Sequence, residues 1–258
     1  MLPETGIEMT ESHQAPAPAR ERLDLSLWHA GLCSSQGEAR TLILAGEVRV
    51  GGETVRRPEQ AVAAGAAVEV RPPPRYVSRG GEKLAPALER FGVDPAGQVC
   101  ADVGASTGGF TDVLLQRGAA RVYAIDVGRG LLHWRLRQDP RVVVMERVNA
   151  RRLPPLPEPA PLTTVDVSFI GLEAVLPAVL EATGAGQLVV LFKPQFQVPR
   201  RLVAKGGVVR DEGAVEDALA AFAGWASAHR LTVADRMPAA LRGRAGNQEH
   251  LLRLVAGP

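Results

Sequence analysis

Lysine is nearly absent from this 258-residue chain. Of its 30 basic residues only Lys83, Lys193 and Lys205 are lysines, leaving 27 arginines. An overall bias towards Arg, Ala, Gly and Pro accounts for the scarcity, yet it makes each remaining amine worth explaining. Cysteine is equally sparse. Cys33 and Cys100 exclude a disulfide-built scaffold, and without CxxC or Cys/His spacing they form no zinc site. Aromatics make up 4%, too few for a base-stacking platform of the RRM kind. No apolar run approaches the roughly 20 residues of a membrane helix. Residues 1–19 hold three acids and no Lys or Arg, so the start is neither a signal nor a transit peptide and reads as a disordered, proline-containing leader. A cytoplasmic setting is the resulting expectation. At 46% apolar and 22% charged, the chain has ample material for a core. Its net charge of +2 says little until it is resolved by position.

What is present divides in two. Residues 20–70 carry a helix face beginning at Leu23, Leu25, Leu27 and Trp28, and a second helix over 36–45 stopped by Gly46. A hairpin turning at Gly51-Gly52 and a short strand at 68–70 complete a small αβ module. Three consecutive prolines, 72–74, forbid a continuous helix or strand, so residues 71–79 are expected to be a spacer. Beyond it, strands expected at 99–103, 122–126, 142–145, 163–167, 188–192 and 231–233 alternate with helices at 81–91, 109–117, 130–137, 171–182 and 212–229. The pattern predicts an α/β fold with a doubly wound, mostly parallel Rossmann-like sheet over 80–258. Such sheets bind ligands beyond the carboxyl ends of their strands.

Asp102-Val-Gly-Ala-Ser-Thr-Gly-Gly-Phe110 closes the first of these strands and opens a helix. Its glycines let backbone N–H groups approach a ligand, and Gly104, Ser106, Gly108 and Phe110 are candidate cofactor contacts. The next strand ends in Asp126, placed to take both hydroxyls of a ribose. Asn149, after the third strand, is a candidate for the adenine and equally a turn residue. Loop, acid and βαβ context point together to an adenosine-bearing cofactor. The run Gly104-Ala-Ser-Thr-Gly108 also matches the GxSxG nucleophile elbow, but only His229 and His250 follow far downstream and Asp102 and Asp126 are left without a role.

These residues resemble the hemolysin A (TlyA) family. The resemblance is carried by Tyr76-Val-Ser-Arg-Gly-Gly-Glu-Lys-Leu84, the glycine loop through Asp112, Tyr123-Ala-Ile-Asp-Val-Gly128, Val165-Asp-Val-Ser-Phe-Ile170, Lys193-Pro-Gln-Phe196 and Lys205-Gly-Gly-Val-Val209. The block from Arg22-Leu-Asp24 to Gly51 is similar, more loosely, to S4 modules. The family's members are ribosomal-RNA 2′-O-methyltransferases that join an S4 RNA-binding module to an FtsJ-like domain using S-adenosylmethionine. The resemblance therefore implies methylation of rRNA with cytidine the target, while the residue spacing gives no expectation of a metal. The resemblance also implies a catalytic tetrad of Lys83, Asp166, Lys193 and Glu249. Met237-Pro-Ala-Ala-Leu-Arg-Gly departs from the family's Ser-Pro-Ile-like run, which leaves Glu249 the least secure of the four. A non-catalytic RNA-binding assembly factor with a methyltransferase fold is the alternative.

The chemistry asks for such residues. A ribose 2′-hydroxyl is a poor nucleophile at neutral pH, so positioning and a nearby base help. Arginine cannot lose its proton in a protein, whereas a lysine amine beside a second cation and out of water can. Two of the three lysines stand at the tetrad positions. Charge resolved by position also shows tracks for phosphates. Residues 117–152 hold nine Arg against three acids, 193–210 hold five cations and no acid, and 71–83 hold four against one. In the first module Arg40, Arg49, Arg56 and Arg57 are candidate contacts among interleaved acids.

Overall fold

The computed structural model describes residues 20–71 and 74–257. The proposed leader, and Pro72 and Pro73 of the spacer, lie outside them. The chain separates at the prolines into two compact units.

The smaller unit contains β1 (Arg20–Arg22), α1 (Leu23–His29), α2 (Gln36–Ala45), β2 (Val48–Val50), β3 (Glu53–Val55), β4 (Ala61–Ala63) and β5 (Val68–Val70). β2 lies between β3 and β5, antiparallel to both, and β1 pairs with β4. Leu23 and Leu27 of α1 meet Ala39 and Ile43 of α2 over Val48, Val55 and Val62. Ser35 caps α2 by accepting from the Glu38 N–H at 3.2 Å, while the Glu38 carboxylate returns to the Ser34 N–H. Beneath this cap Asp24 is fully buried and accepts from Arg22, Arg40, Gln36 and the Leu25 N–H. The Arg22 guanidinium in particular holds its carboxyl far below the usual carboxylate range. The expected two helices are present, but the β1–β4 pair was not expected. Arg20-Glu-Arg22 is wholly polar and Ala61-Val-Ala63 carries little β signal.

The larger unit begins earlier than the spacer of 71–79 suggests. Tyr76 is 4% exposed, the Val77 N–H donates to Asp112, and Ser78 caps α3 (Arg79–Arg90). Then follow β6 (Val99–Val103), α4 (Gly109–Gln116), β7 (Arg121–Asp126), α5 (Trp134–Gln138), β8 (Val142–Glu146), β9 (Leu162–Val165), α6 (Leu176–Thr183), β10 (Gln187–Phe192), α7 (Pro194–Gln197), α8 (Glu212–Ala228), β11 (Leu231–Pro238) and β12 (His250–Ala256). The seven strands are ordered β11-β12-β10-β9-β6-β7-β8. β8, β7, β6, β9 and β10 are parallel, and β12 alone is reversed, antiparallel to both β10 and β11. The chain leaves β6 for β7 and β8 on one side and returns to β9 and β10 on the other, so the switch point falls at the end of β6. One core on the α3–α4 face gathers Leu84, Leu88, Phe110 and Leu114. The opposite face gathers Leu176, Val179, Phe222 and Phe192.

Four points differ from expectation. β12 was not expected, and β11 is longer than 231–233. The helix expected over 130–137 begins only at Trp134, because Gly130 takes a φ of +68° in the loop before it. β9 stops at Val165, so Asp166 follows the strand instead of ending it.

Candidate active site

The glycine loop leaves β6 with a tight reversal in which the Gly104 and Ala105 N–H groups both donate to the Ile125 carbonyl. Gly104 has a φ of +89°, and a Cβ there would lie 2.3 Å from the Asp166 carbonyl oxygen. Only glycine lets the loop pass this close to the end of β9. A second close approach brings α3 and α4 together at their N-termini, where a Cβ on Gly109 would strike Ser78 Oγ at 2.3 Å. Below the loop, Asp102 is fully buried and accepts from the Thr111 N–H and hydroxyl and from the Thr164 hydroxyl at 2.7–3.1 Å. Burial outweighs these donors and pushes its carboxyl up to about 6. Cys100, on the same strand, is pushed by burial to about 12 and is an inert thiol.

Asp126 ends β7 with Oδ2 accepting from the Ser106 N–H at 2.8 Å and Oδ1 from the Gly128 N–H at 2.6 Å. Each oxygen keeps lone-pair capacity for a further donor. A cavity of about 400 Å³ opens here, lined by Gly104, Ser106, Asp126, Asn149 and Asp166 together with apolar Val127 and Leu131. Its lining fits a nucleoside, with a carboxylate for the sugar hydroxyls and apolar side chains for a base, although the Gly104, Ala105 and Ser106 N–H groups expected to reach a ligand are already donated within the fold. Asn149 also caps a short 3-10 turn, its Oδ1 accepting from the Arg151 N–H at 3.0 Å, which is the turn role expected of it. Gly108 and Phe110 do not border this cavity. Gly108 packs on Leu132 and Leu136, and Phe110 is 3% exposed in the core.

A smaller recess of about 130 Å³ adjoins the cavity, sharing Gly104, Ser106 and Asp166 and adding Ser78, Gly80, Lys83 and Phe110. One member of each of two ion pairs lines it. Lys83 Nζ on α3 donates to Glu249 Oε2 at 2.5 Å, and both residues are buried. Gly243 walls the pair, since a Cβ there would meet Glu249 Oε1 at 2.3 Å. Lys193, directly after β10, places Nζ 2.5 Å from Asp166 Oδ1 and 2.8 Å from Ser168 Oγ. The first contact is an ion pair without aligned hydrogen-bond geometry, so Asp166 Oδ1 accepts no hydrogen bond. The four residues thus occur as two cation–carboxylate pairs, with Lys83 and Asp166 lining one recess.

Two residues of this rim were not singled out as site residues by the sequence. Ser168 holds Lys193, and Phe169 stands 91% exposed at the cavity lip with a φ of +68°. Both sit in the Asp166-Val-Ser-Phe run, and its composition was the available signal. In the smaller unit, Arg40 is held by Asp24, Arg57 by Glu59 and Arg56 by the Leu44 carbonyl.

Residues 76–255 match the family model described as FtsJ-like methyltransferase, and residues 21–68 match the S4 domain. The chain is 44% identical over 246 residues to the 16S/23S rRNA (cytidine-2′-O)-methyltransferase TlyA of Mycobacterium tuberculosis, covering 91% of this chain and 90% of that protein. It is 41% identical over 195 residues to Hemolysin A of Brachyspira hyodysenteriae, covering 74% and 81%. Among solved structures, a hemolysin-named protein from Streptococcus thermophilus superposes with a TM-score of 0.71 at 37% identity, covering 93% of this chain and 90% of that one.

Proposed function

The chain belongs to the FtsJ-like methyltransferase family and carries an S4 domain ahead of that fold, and on this premise we propose that it methylates a ribose 2′-hydroxyl of ribosomal RNA, with cytidine the nucleoside and S-adenosylmethionine the donor. The observation that carries the reading is the junction of the nucleoside-fitting cavity with a recess lined by one member of each ion pair, Lys83 and Asp166. Asp126 would hold the donor's ribose and Val127 and Leu131 would flank its base. When bound, the donor supplies a sulfonium-activated methyl group.

The chain's own part is to hold and deprotonate the acceptor. Asp166 and Ser168 fix Lys193 Nζ, so the amine needs no reorganisation when the hydroxyl arrives. Lys193 would take the 2′-hydroxyl proton as that oxygen attacks the methyl group that the bound donor would supply. Lys83 and Glu249, joined and buried, present a charge-neutral wall that positions the ribose. The small unit and the arginine tracks hold the RNA through its phosphates.

The test incubates the protein with labelled S-adenosylmethionine and separated ribosomal subunits, then maps 2′-O-methylation. Transfer to an rRNA cytidine is expected, and Lys193→Ala should lower kcat by about 10²–10⁴-fold, the usual contribution of a positioned general base. No transfer to any rRNA overturns the function. Full activity in Lys193→Ala overturns the residue's role alone.

A further inference from the structure

The Lys205-Gly-Gly-Val-Val209 motif contributes only charge to the reading above, yet it is built with more care than a charged loop needs. After the 3-10 turn at Arg200–Leu202, Val203 and Val209 pair as an antiparallel bridge. The Ala204 N–H donates to the Val208 carbonyl and the Gly207 N–H to the Ala204 carbonyl, both at 2.9 Å. Gly206 and Gly207 take φ of +95° and +81°, values that favour glycine in such a turn. Arg200, Arg201, Lys205 and Arg210 are all exposed on this segment. Among the described residues none of the four is in an ion pair.

What fixes the hairpin is Asn247. It is 3% exposed, its Oδ1 accepts from the Val209 N–H at 2.8 Å, and its Nδ2 donates to the Gly207 carbonyl at 2.7 Å. Its own carbonyl accepts from the Gly243 N–H at 2.9 Å, in the turn that walls Glu249. The amide accepts from the return strand of the hairpin and donates to its turn at once. Aspartate lacks the donor and alanine lacks both groups. Asn247 stands two residues before Glu249, so the hairpin and the Lys83–Glu249 pair are referred to one short stretch of backbone.

We propose that Asn247 is a positioning residue that clamps the 200–210 hairpin to the active rim as a fixed arm for the phosphates of the RNA substrate. The inference rests on the RNA reading above. Cations on a fixed arm lose less freedom on binding than cations on a loose loop, and they set the register of the strand relative to the reacting ribose. The arm therefore acts on RNA binding and register, while the chemistry stays with the two ion pairs.

The test uses the full chain and ribosomal subunits, comparing wild type, Asn247→Ala, the double variant Arg201→Ala/Lys205→Ala and all three changes together. Asn247→Ala should raise KM for the subunit about tenfold, with kcat and S-adenosylhomocysteine binding within twofold of wild type. The double variant should flatten the slope of log affinity against log salt by one to two, as expected for two lost phosphate contacts. In its background Asn247→Ala should add no further loss, because a clamp without an arm has nothing to position. An unchanged KM in Asn247→Ala, or an Asn247 effect of full size after the arm is neutralised, overturns the proposal. Should Asn247→Ala fail to fold, Asn247→Asp, which keeps the acceptor and loses the donor to Gly207, takes its place with the same expected KM, and the double variant, whose exposed side chains support no packing, tests the arm. A wild-type salt slope there overturns the arm. Absence of RNA binding and transfer by the wild type is a different result, which removes the substrate reading and this inference with it.

Discussion

Asp102 gives the larger unit an unusual dependence on pH. Its carboxyl sits at about 6 in the folded chain against an ordinary 3.8, chiefly because burial penalises the charge. The folded state therefore holds a proton that the unfolded state releases earlier. This contribution is fully present below about pH 4 and is lost as pH rises through about 6, a change on the order of 2–3 kcal/mol. Asp102→Asn keeps an acceptor for Thr111 without the charge. Urea unfolding between pH 4 and 6 should show the falling slope of the wild type flattened in the variant; an equal slope in both would reject the assignment. Gly104 makes a different residue-level case. Adding a Cβ costs roughly 1–2 kcal/mol for the left-handed backbone alone, and here it also collides with the Asp166 carbonyl. Gly104→Ala should lose cofactor binding and more than tenfold in activity. Gly130→Ala has a similar φ and open space around it, so it should cost only the backbone term and keep activity near wild type. Asp126 was legible in the sequence from its place at a strand end, and the resemblance pointed to Asp166 and Lys193, which a doubly wound sheet brings to the same rim. Ser168 and Asn247 were not legible, because their partners depend on how loops fold back in space.

Among the elements, legibility followed periodicity. β6, β7 and β10 are short apolar runs with clear ends, and their positions were expected almost to the residue. β12 escaped because Leu251-Leu252-Arg-Leu254-Val255 shows no alternation: the strand lies between two others with side chains covered on both faces. Its omission mattered, since reversing between β10 and β11 is what carries Glu249 to the rim beside Lys83. In the smaller unit the critical join is between α1 and α2, and Asp24 makes it. The carboxyl is held far below its ordinary value, so its contribution is present above about pH 4 and is lost as pH falls below that. Asp24→Asn should destabilise the small unit by about 1–3 kcal/mol at pH 7. Arg22 and Arg40 are about half exposed and can rehydrate, which keeps the loss from being larger. Chemical denaturation followed by Trp28 fluorescence would measure it, and an unchanged midpoint would show that the helices are joined by their apolar contacts alone.

For the whole molecule, these two carboxylates set opposite pH trends in units whose cores share no residue. Leu23, Leu27 and Ile43 close one core, while the larger unit's cores are built entirely from residues beyond the prolines. A unit of about 50 residues buries a smaller share of its surface than one of about 180 and is the more marginal of the two. Heating should therefore resolve two transitions, the lower belonging to the small unit. S-adenosylhomocysteine at 100 times its Kd should stabilise only the state containing the folded larger unit, by about 2.7 kcal/mol, and so move the upper transition alone. Lowering the pH from 6 to 4 should widen the interval between the two transitions. The upper transition gains as Asp102 takes its proton, and the lower begins to fall as Asp24 approaches its ordinary titration range. Calorimetry at pH 4, 6 and 7.5, with and without S-adenosylhomocysteine, separates these effects. A single transition that shifts as a whole with ligand would mean that the two units unfold as one. The small unit's stability would then depend on the occupied site, and RNA capture and methyl-donor binding would be coupled through folding itself.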